Sequence, residues 1–264
     1  MKDILEEIVA WKRLEVKEQK STLSPKEIHK MAEKEMQSSE RARSMSLSLM
    51  EDDYGIIAEF KRKSPSKGWI KEDGKAEIIP HSYERNGAAA LSILTDGKYF
   101  GGDMDFIRKA RPLVTLPILR KDFIVDEYQL FQARCIGADA VLLIAAALTK
   151  DEAMSMCAIA QELRLEVLLE IHNDNELDYV DINPNMIGVN NRNLGTFETN
   201  VENSFRIIDK LPKDKVLVSE SGISNTDTIR LLRQAGFRGF LMGEHFMRTD
   251  DPGEALNKFL QSLR

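Results

Sequence analysis

Ile56-Ile57-Ala58-Glu59-Phe60-Lys61-Arg62-Lys63-Ser64-Pro65-Ser66-Lys67-Gly68 starts as a short β-branched, apolar run and ends in charge. That shape returns along the chain at 89–94, 117–120, 138–144, 166–170, 186–190, 216–220 and 238–242. Helix-like stretches lie between the runs, among them 76–86, 126–136, 150–163, 201–211 and 225–235. Eight strands separated by helices are the pattern of parallel βαβ units. Strands covered by helices on both faces read as continuous apolar runs rather than as alternation.

A doubly wound open sheet would share this rhythm, and the strand ends argue against it. Polar residues close nearly every run: Glu59 and Lys61, Thr95-Asp96, Lys121, Glu170, Asn190 and Arg192, Glu220-Ser221, and Gly243-Glu244. In a (β/α)8 barrel all these ends meet at one face, where active sites are built. The expected fold is therefore α/β, a (β/α)8 TIM barrel with an N-terminal helical extension. Residues 1–264 form one domain in this reading.

The extension is residues 1–50. It is charged and helix-prone, with Ile4, Leu5, Ile8, Val9, Trp11 and Leu14 at helical spacing and a helix start at Ser24-Pro25-Lys26-Glu27. It reads either as a solvated amphipathic layer or as a cap over the barrel mouth; the cap is the expectation carried forward.

Composition narrows the function classes. A length of 264 residues suits one barrel, and 42% hydrophobic with 30% charged residues is globular composition. A formal charge of −6 offers no nucleic-acid surface. The start lacks the apolar core of a signal peptide, and the longest apolar run, Ala140 to Leu148, has nine residues, too few to cross a bilayer. The two cysteines, Cys135 and Cys157, fit a reducing cytosol. His29, His81, His172 and His245 are scattered, so no metal is expected. A cytoplasmic protein without membrane or nucleic-acid partners follows.

The chemistry sits at the strand ends. Alternation puts Glu59 and Lys61 on one side of their strand, the barrel interior if Ile57 shares it. A structural ion pair beside a solvated basic loop would look the same. Lys121 closes its run as a general acid, a Schiff-base amine or an anion anchor. Glu170 ends Val167-Leu168-Leu169, an apolar setting expected to raise its pKa. Two glycine turns, Ser221-Gly222 and Gly243-Glu244, follow the last two strands. Phosphate binds there in many barrels, on backbone N–H groups and a helix N-terminus. Glu244 is expected to offer only its N–H.

Taken together these segments resemble the indole-3-glycerol-phosphate synthase family over nearly the whole chain. The likeness runs through Ile4-Leu5-x-x-Ile8-Val9-Ala10-x-Lys12-Arg13-x-Glu15-Val16, the 57–68 stretch, and Leu94-Thr95-Asp96-x-x-Tyr99-Phe100-x-Gly102. It continues in Leu119-Arg120-Lys121-Asp122-Phe123, Leu168-Leu169-Glu170-Ile171-His172, 188–194 and Ser219-Glu220-Ser221-Gly222-Ile223. It implies closure of 1-(2-carboxyphenylamino)-1-deoxyribulose 5-phosphate to indole-3-glycerol phosphate, carbon dioxide and water, without a cofactor, in tryptophan biosynthesis.

The resemblance also implies residue roles. Glu59, Lys61, Lys121, Glu170, Asn190 and Ser221 would be catalytic. Ser64, Pro65, Ser92, Phe100, Phe123, Leu142, Ile144, Arg192 and Leu194 would bind the substrate, with Pro65, Phe100, Phe123, Leu142, Ile144 and Leu194 as an apolar slot for the anthranilate ring, Ser92 nearby and Arg192 near its carboxylate. Lys61, Ser221, Gly222, Gly243 and Glu244 would hold the phosphate. The protein is expected to act on this phosphosugar as a monomer. Three other readings compete: a phosphosugar isomerase, a Schiff-base aldolase and a non-catalytic phosphate-binding barrel.

Overall fold

The structure is a computed structural model and describes residues 4–38, 43–193 and 198–264. Among the described residues, eight parallel strands close into a barrel: β1 (Ile56–Phe60), β2 (Ala90–Leu94), β3 (Ile118–Lys121), β4 (Ala140–Ile144), β5 (Glu166–Ile171), β6 (Met186–Asn190), β7 (Val216–Glu220) and β8 (Gly239–Met242). Each strand pairs with its sequence neighbours, and β1 closes the ring on β8 with Ile57 opposite Leu241. These bounds lie within two residues of those read from the apolar runs. This is the (β/α)8 TIM barrel.

Two layers of core follow from the period-2 alternation of the strands. Ala58, Phe60, Leu91, Ile93, Val141, Leu143, Val167 and Leu169 face outward and bury against the helices. Ile57, Leu119, Leu142, Leu168, Met186, Val218 and Leu241 face inward and fill the barrel. The inward parity carries on to each strand's C-terminal end. It therefore aims Glu59, Lys121, Glu170, Asn190 and Glu220 at one mouth.

The extension divides into three helices with three destinations. Helix α1 (Ile4–Thr22) lies at the mouth, where Leu5 meets the cavity and Lys12 is buried against Asp96 and Asp122. Helix α2 (Pro25–Ser38) opens on a reciprocal Ser24–Glu27 cap and packs on the helix Tyr128–Ile136. Helix α3 (Met45–Glu51) closes the opposite end of the barrel. Its Met45 and Leu49 join the inward core, the hydroxyls of Ser44 and Ser46 donate to Glu166 at the start of β5, and that of Ser48 donates to the Ala89 carbonyl. No helix among the described residues is long and apolar enough to cross a membrane.

Candidate active site

The segment after β1 holds a small antiparallel ladder, Lys63–Ser64 against Gly68–Trp69, that the apolar pattern does not announce. It folds Pro65 and Ser66 over the mouth, where they line one cavity with Glu59, Lys61, Lys121, Glu170, Asn190, Arg192, Ser221 and Gly243. Phe100, Phe123, Leu142 and Ile144 supply an apolar wall, and the Phe100 and Phe123 rings stand 5.9 Å apart. Ser64, Gly222 and Glu244 also line this space. Leu194 lies outside the described residues.

Ser92 is fully buried and is not among the residues lining the cavity; its hydroxyl lies 3.4 Å from Glu59 Oε2. Thr95 and Asp96 also stay out of the cavity. The Thr95 hydroxyl donates to Asp122 at 2.6 Å, and Asp96 caps the short helix Gly97–Phe100. Lys12 reaches both Asp96 at 2.9 Å and Asp122 at 3.0 Å, with Arg120 also on Asp122. This buried set ties α1 to the end of β3 beside Lys121.

At the floor stands an ammonium among carboxylates. Lys121 Nζ lies 3.0 Å from Glu170 Oε2 and 3.4 Å from Glu220 Oε2. Burial would lower the lysine's pKa, but Glu170, Glu220 and Glu59 outweigh it and raise it above its ordinary value. An amine held charged is a proton donor and a poor nucleophile, which argues against a Schiff base.

The two carboxylates beside it are driven apart. Burial pushes Glu220 up, its neighbours Glu170 and Glu59 push the same way, and it reaches about 8 despite Lys121. Its Oε1 has no hydrogen-bond partner. Burial would raise Glu170 as well, yet Lys121 on one side and His172 on the other hold it well below the carboxylate range. The expectation of a raised Glu170 is therefore overturned. An apolar run precedes Glu170, but two cations face it. Pairs of carboxyls pushed in opposite directions mark an acid and a base.

Sequence reasoning assigns no role to Glu220 or His172. Glu220 stands at a strand end beside Ser221, and the same inward parity is the signal that finds it. His172 shares the parity of Glu170 but lies one residue past the end of β5, and its Nε2 stands 3.2 Å from Oε1 of that carboxylate. Among the described residues no group of His, Cys, Asp and Glu is arranged to hold a metal ion.

The last two turns form a cradle. Ser221 (φ +68°) and Gly222 (φ +76°) adopt the left-handed conformation in succession, and both line the cavity. Gly243 precedes the short helix Glu244–Met247, and a Cβ there would lie 2.7 Å from Glu59 Oε1. The Glu244 carboxylate pairs with Arg248 at 2.6 Å. That offsets the Glu244 charge beside the cradle. Lys61 stands beside the cradle, 2.6 Å from Glu59.

The model of a family described as indole-3-glycerol phosphate synthase matches residues 5–259. An indole-3-glycerol phosphate synthase of Bacteroides thetaiotaomicron is 57% identical over 264 residues, covering 100% of both chains. One from Alkaliphilus metalliredigens is 41% identical over 262 residues, covering 98% of this chain and 99% of its own. Two solved structures show likeness of fold alone. A tryptophan synthase complex chain from Pyrococcus furiosus has a TM-score of 0.60 at 14% identity, covering 80% of this chain and 98% of its own. The 3-hexulose-6-phosphate synthase of Salmonella typhimurium has a TM-score of 0.61 at 12% identity, covering 80% and 100%.

Proposed function

The chain belongs to the indole-3-glycerol phosphate synthase family, and from that membership we propose which of its residues carry the reaction. The enzyme is a decarboxylating lyase of tryptophan biosynthesis. It closes the pyrrole ring of 1-(2-carboxyphenylamino)-1-deoxyribulose 5-phosphate and releases carbon dioxide and water.

The observation that carries the residue assignment is Lys121 Nζ, set 3.0 Å from Glu170 and 3.4 Å from Glu220 in a cavity that opens on the Ser221-Gly222 and Gly243-Glu244 turns. The phosphate sits on the N–H groups of Gly222, Gly243 and Glu244, with the Ser221 hydroxyl and Lys61 as further donors. The aromatic ring enters the wall of Phe100, Phe123, Leu142 and Ile144, with Pro65 as its lid. Arg192, anchored on the Ser66 hydroxyl at 2.9 Å, faces the ring's carboxylate. Asn190 holds the sugar hydroxyls.

Lys121 donates its proton to the ketone oxygen as the ring carbon attacks. Carbon dioxide then leaves and restores the ring. Glu220 protonates the departing hydroxyl, with the Glu59–Lys61 pair beside it. Glu170 stabilises the cation that forms at nitrogen and takes the methylene proton that makes the new ring aromatic. Helix α1 covers the mouth through Leu5, so that 1–264 works as one domain. It acts in the cytoplasm as a monomer, with no nucleic-acid partner. The test is fluorescent indole-glycerol phosphate formed from the synthetic substrate and competed by inorganic phosphate. A folded, phosphate-binding protein that forms no product would overturn the reading.

A further inference from the structure

The closure consumes a proton from solvent. Two protons are given, one to the ketone oxygen and one to the departing hydroxyl, and one returns from the methylene carbon. One proton per turnover must therefore reach a floor whose Glu170 and Lys121 side chains are 3% and 15% exposed. A substrate seated above them covers what access remains.

A second cavity, of about 670 Å³, adjoins the first and shares Leu5, Asn190 and Arg192 with it. Glu170 lines the first cavity and is absent from the walls of the second, whereas His172 and Glu176 line the second and are absent from the first. The groups in between form a row of close contacts, in which the Nε2–Oε1 link is an ion-pair contact that a small turn of the carboxyl brings into hydrogen-bond alignment. Lys121 Nζ meets Glu170 Oε2 at 3.0 Å, Glu170 Oε1 meets His172 Nε2 at 3.2 Å, and His172 Nδ1 meets Glu176 Oε2 at 3.3 Å. His172 is held by its own backbone, whose N–H donates to Glu176 at 2.7 Å and whose carbonyl accepts from Asn203 at 2.9 Å. Glu6 of α1 lines the same cavity, as does Arg206, which is paired with Asp174.

We propose that His172, backed by Glu176, is the proton route from the water of the second cavity to Glu170 and Lys121. Once Lys121 has given its proton away, the neutral amine no longer holds Glu170 ionised. The Nε2 proton passes from His172 to Glu170, the carboxyl turns about its last bond, and Lys121 is recharged. The imidazole regains its proton from hydronium or a buffer acid in the second cavity, and the methylene proton held by Glu170 passes through Lys121 to Glu220, so every group is reset and charge balances over the cycle. Its pKa fits the role: burial would lower it, but Glu170 and Glu176 raise it to about 10, so the ring is charged at neutral pH.

This route rests on the proton roles assigned to Lys121 and Glu170, and the experiment separates the two. In His172→Ala the space of the ring is opened to added imidazole. The expected result is a kcat lowered on the order of tenfold to a hundredfold, a larger solvent isotope effect, unchanged KM, and recovery of kcat as imidazole is raised. Lys121→Met is not recovered by imidazole. Wild-type kcat in His172→Ala, or a loss that imidazole leaves untouched, overturns the route. If His172→Ala does not fold, Glu176→Gln decides, since it keeps the ring and replaces the outward carboxylate; buffer dependence supports the route and its absence overturns it. Turnover retained in Lys121→Met would instead overturn the underlying assignment.

Discussion

A Cβ placed on Gly188 would overlap Glu220 Oε1. The two residues belong to adjacent strands, β6 and β7, with Gly188 level with Val218, two positions before the carboxyl. The missing side chain is thus the space in which Glu220 stands.

Gly188→Ala should accordingly displace Glu220 while leaving the phosphate cradle alone. The expected result is a fall in kcat on the order of a hundredfold, as for loss of a general acid, with the inhibition constant for inorganic phosphate unchanged. Equal losses in both would place the damage in the fold.

Glu220 also sets a pH dependence. Its folded value of about 8 lies above the ordinary carboxyl value of about 4.3. Between the two the folded protein holds more protons than the unfolded chain, so this group's contribution to stability falls as pH rises through that window. Glu220→Gln should raise Tm at pH 8 relative to wild type by more than at pH 5, at about 2–4 °C per kcal/mol. It should also remove an alkaline limb near pH 8 from the rate profile. Thermal melts and rate profiles across that range check both.

Lys12 is the reverse case, a buried cation whose removal strands two acids. Burial would lower its pKa, but Asp122 and Asp96 keep it raised and charged. Breaking a buried pair from one side costs about 3–5 kcal/mol, so Lys12→Met should lower Tm by roughly ten degrees. An unchanged melt would show that α1 is not anchored there.

Gly222 reports on the phosphate. Its φ is +76°, and a Cβ added there would overlap the Thr199 methyl group, so the turn has no room for a side chain. Gly222→Ala should raise KM about tenfold and change kcat less. A substrate analogue lacking the phosphate should be insensitive to the change.

The position of each polar residue at the end of an apolar run is enough to place Glu59, Lys61, Lys121, Glu170 and Asn190 at one mouth, because strand direction and parity are local properties. The placement of α3 is not legible in the same way. Met45 and Leu49 carry the same apolar spacing as a mouth-covering helix, and contacts distant in sequence, with Glu166 at the start of β5 and the Ala89 carbonyl, hold them to the other end. The protonation of Glu170 escapes sequence reasoning for a similar reason. Its immediate neighbours are apolar, but Lys121 from β3 and the ring of His172 decide its charge. Ser92 shares the inward parity of the site residues and sits one layer too deep.

The central claim is that Lys121 delivers the proton to the ketone. Single-turnover formation of fluorescent indole-glycerol phosphate, with Lys121→Met in excess over substrate, tests it most directly. The account predicts bound substrate and a rate reduced on the order of a thousandfold. A single-turnover rate within about twofold of wild type would contradict it.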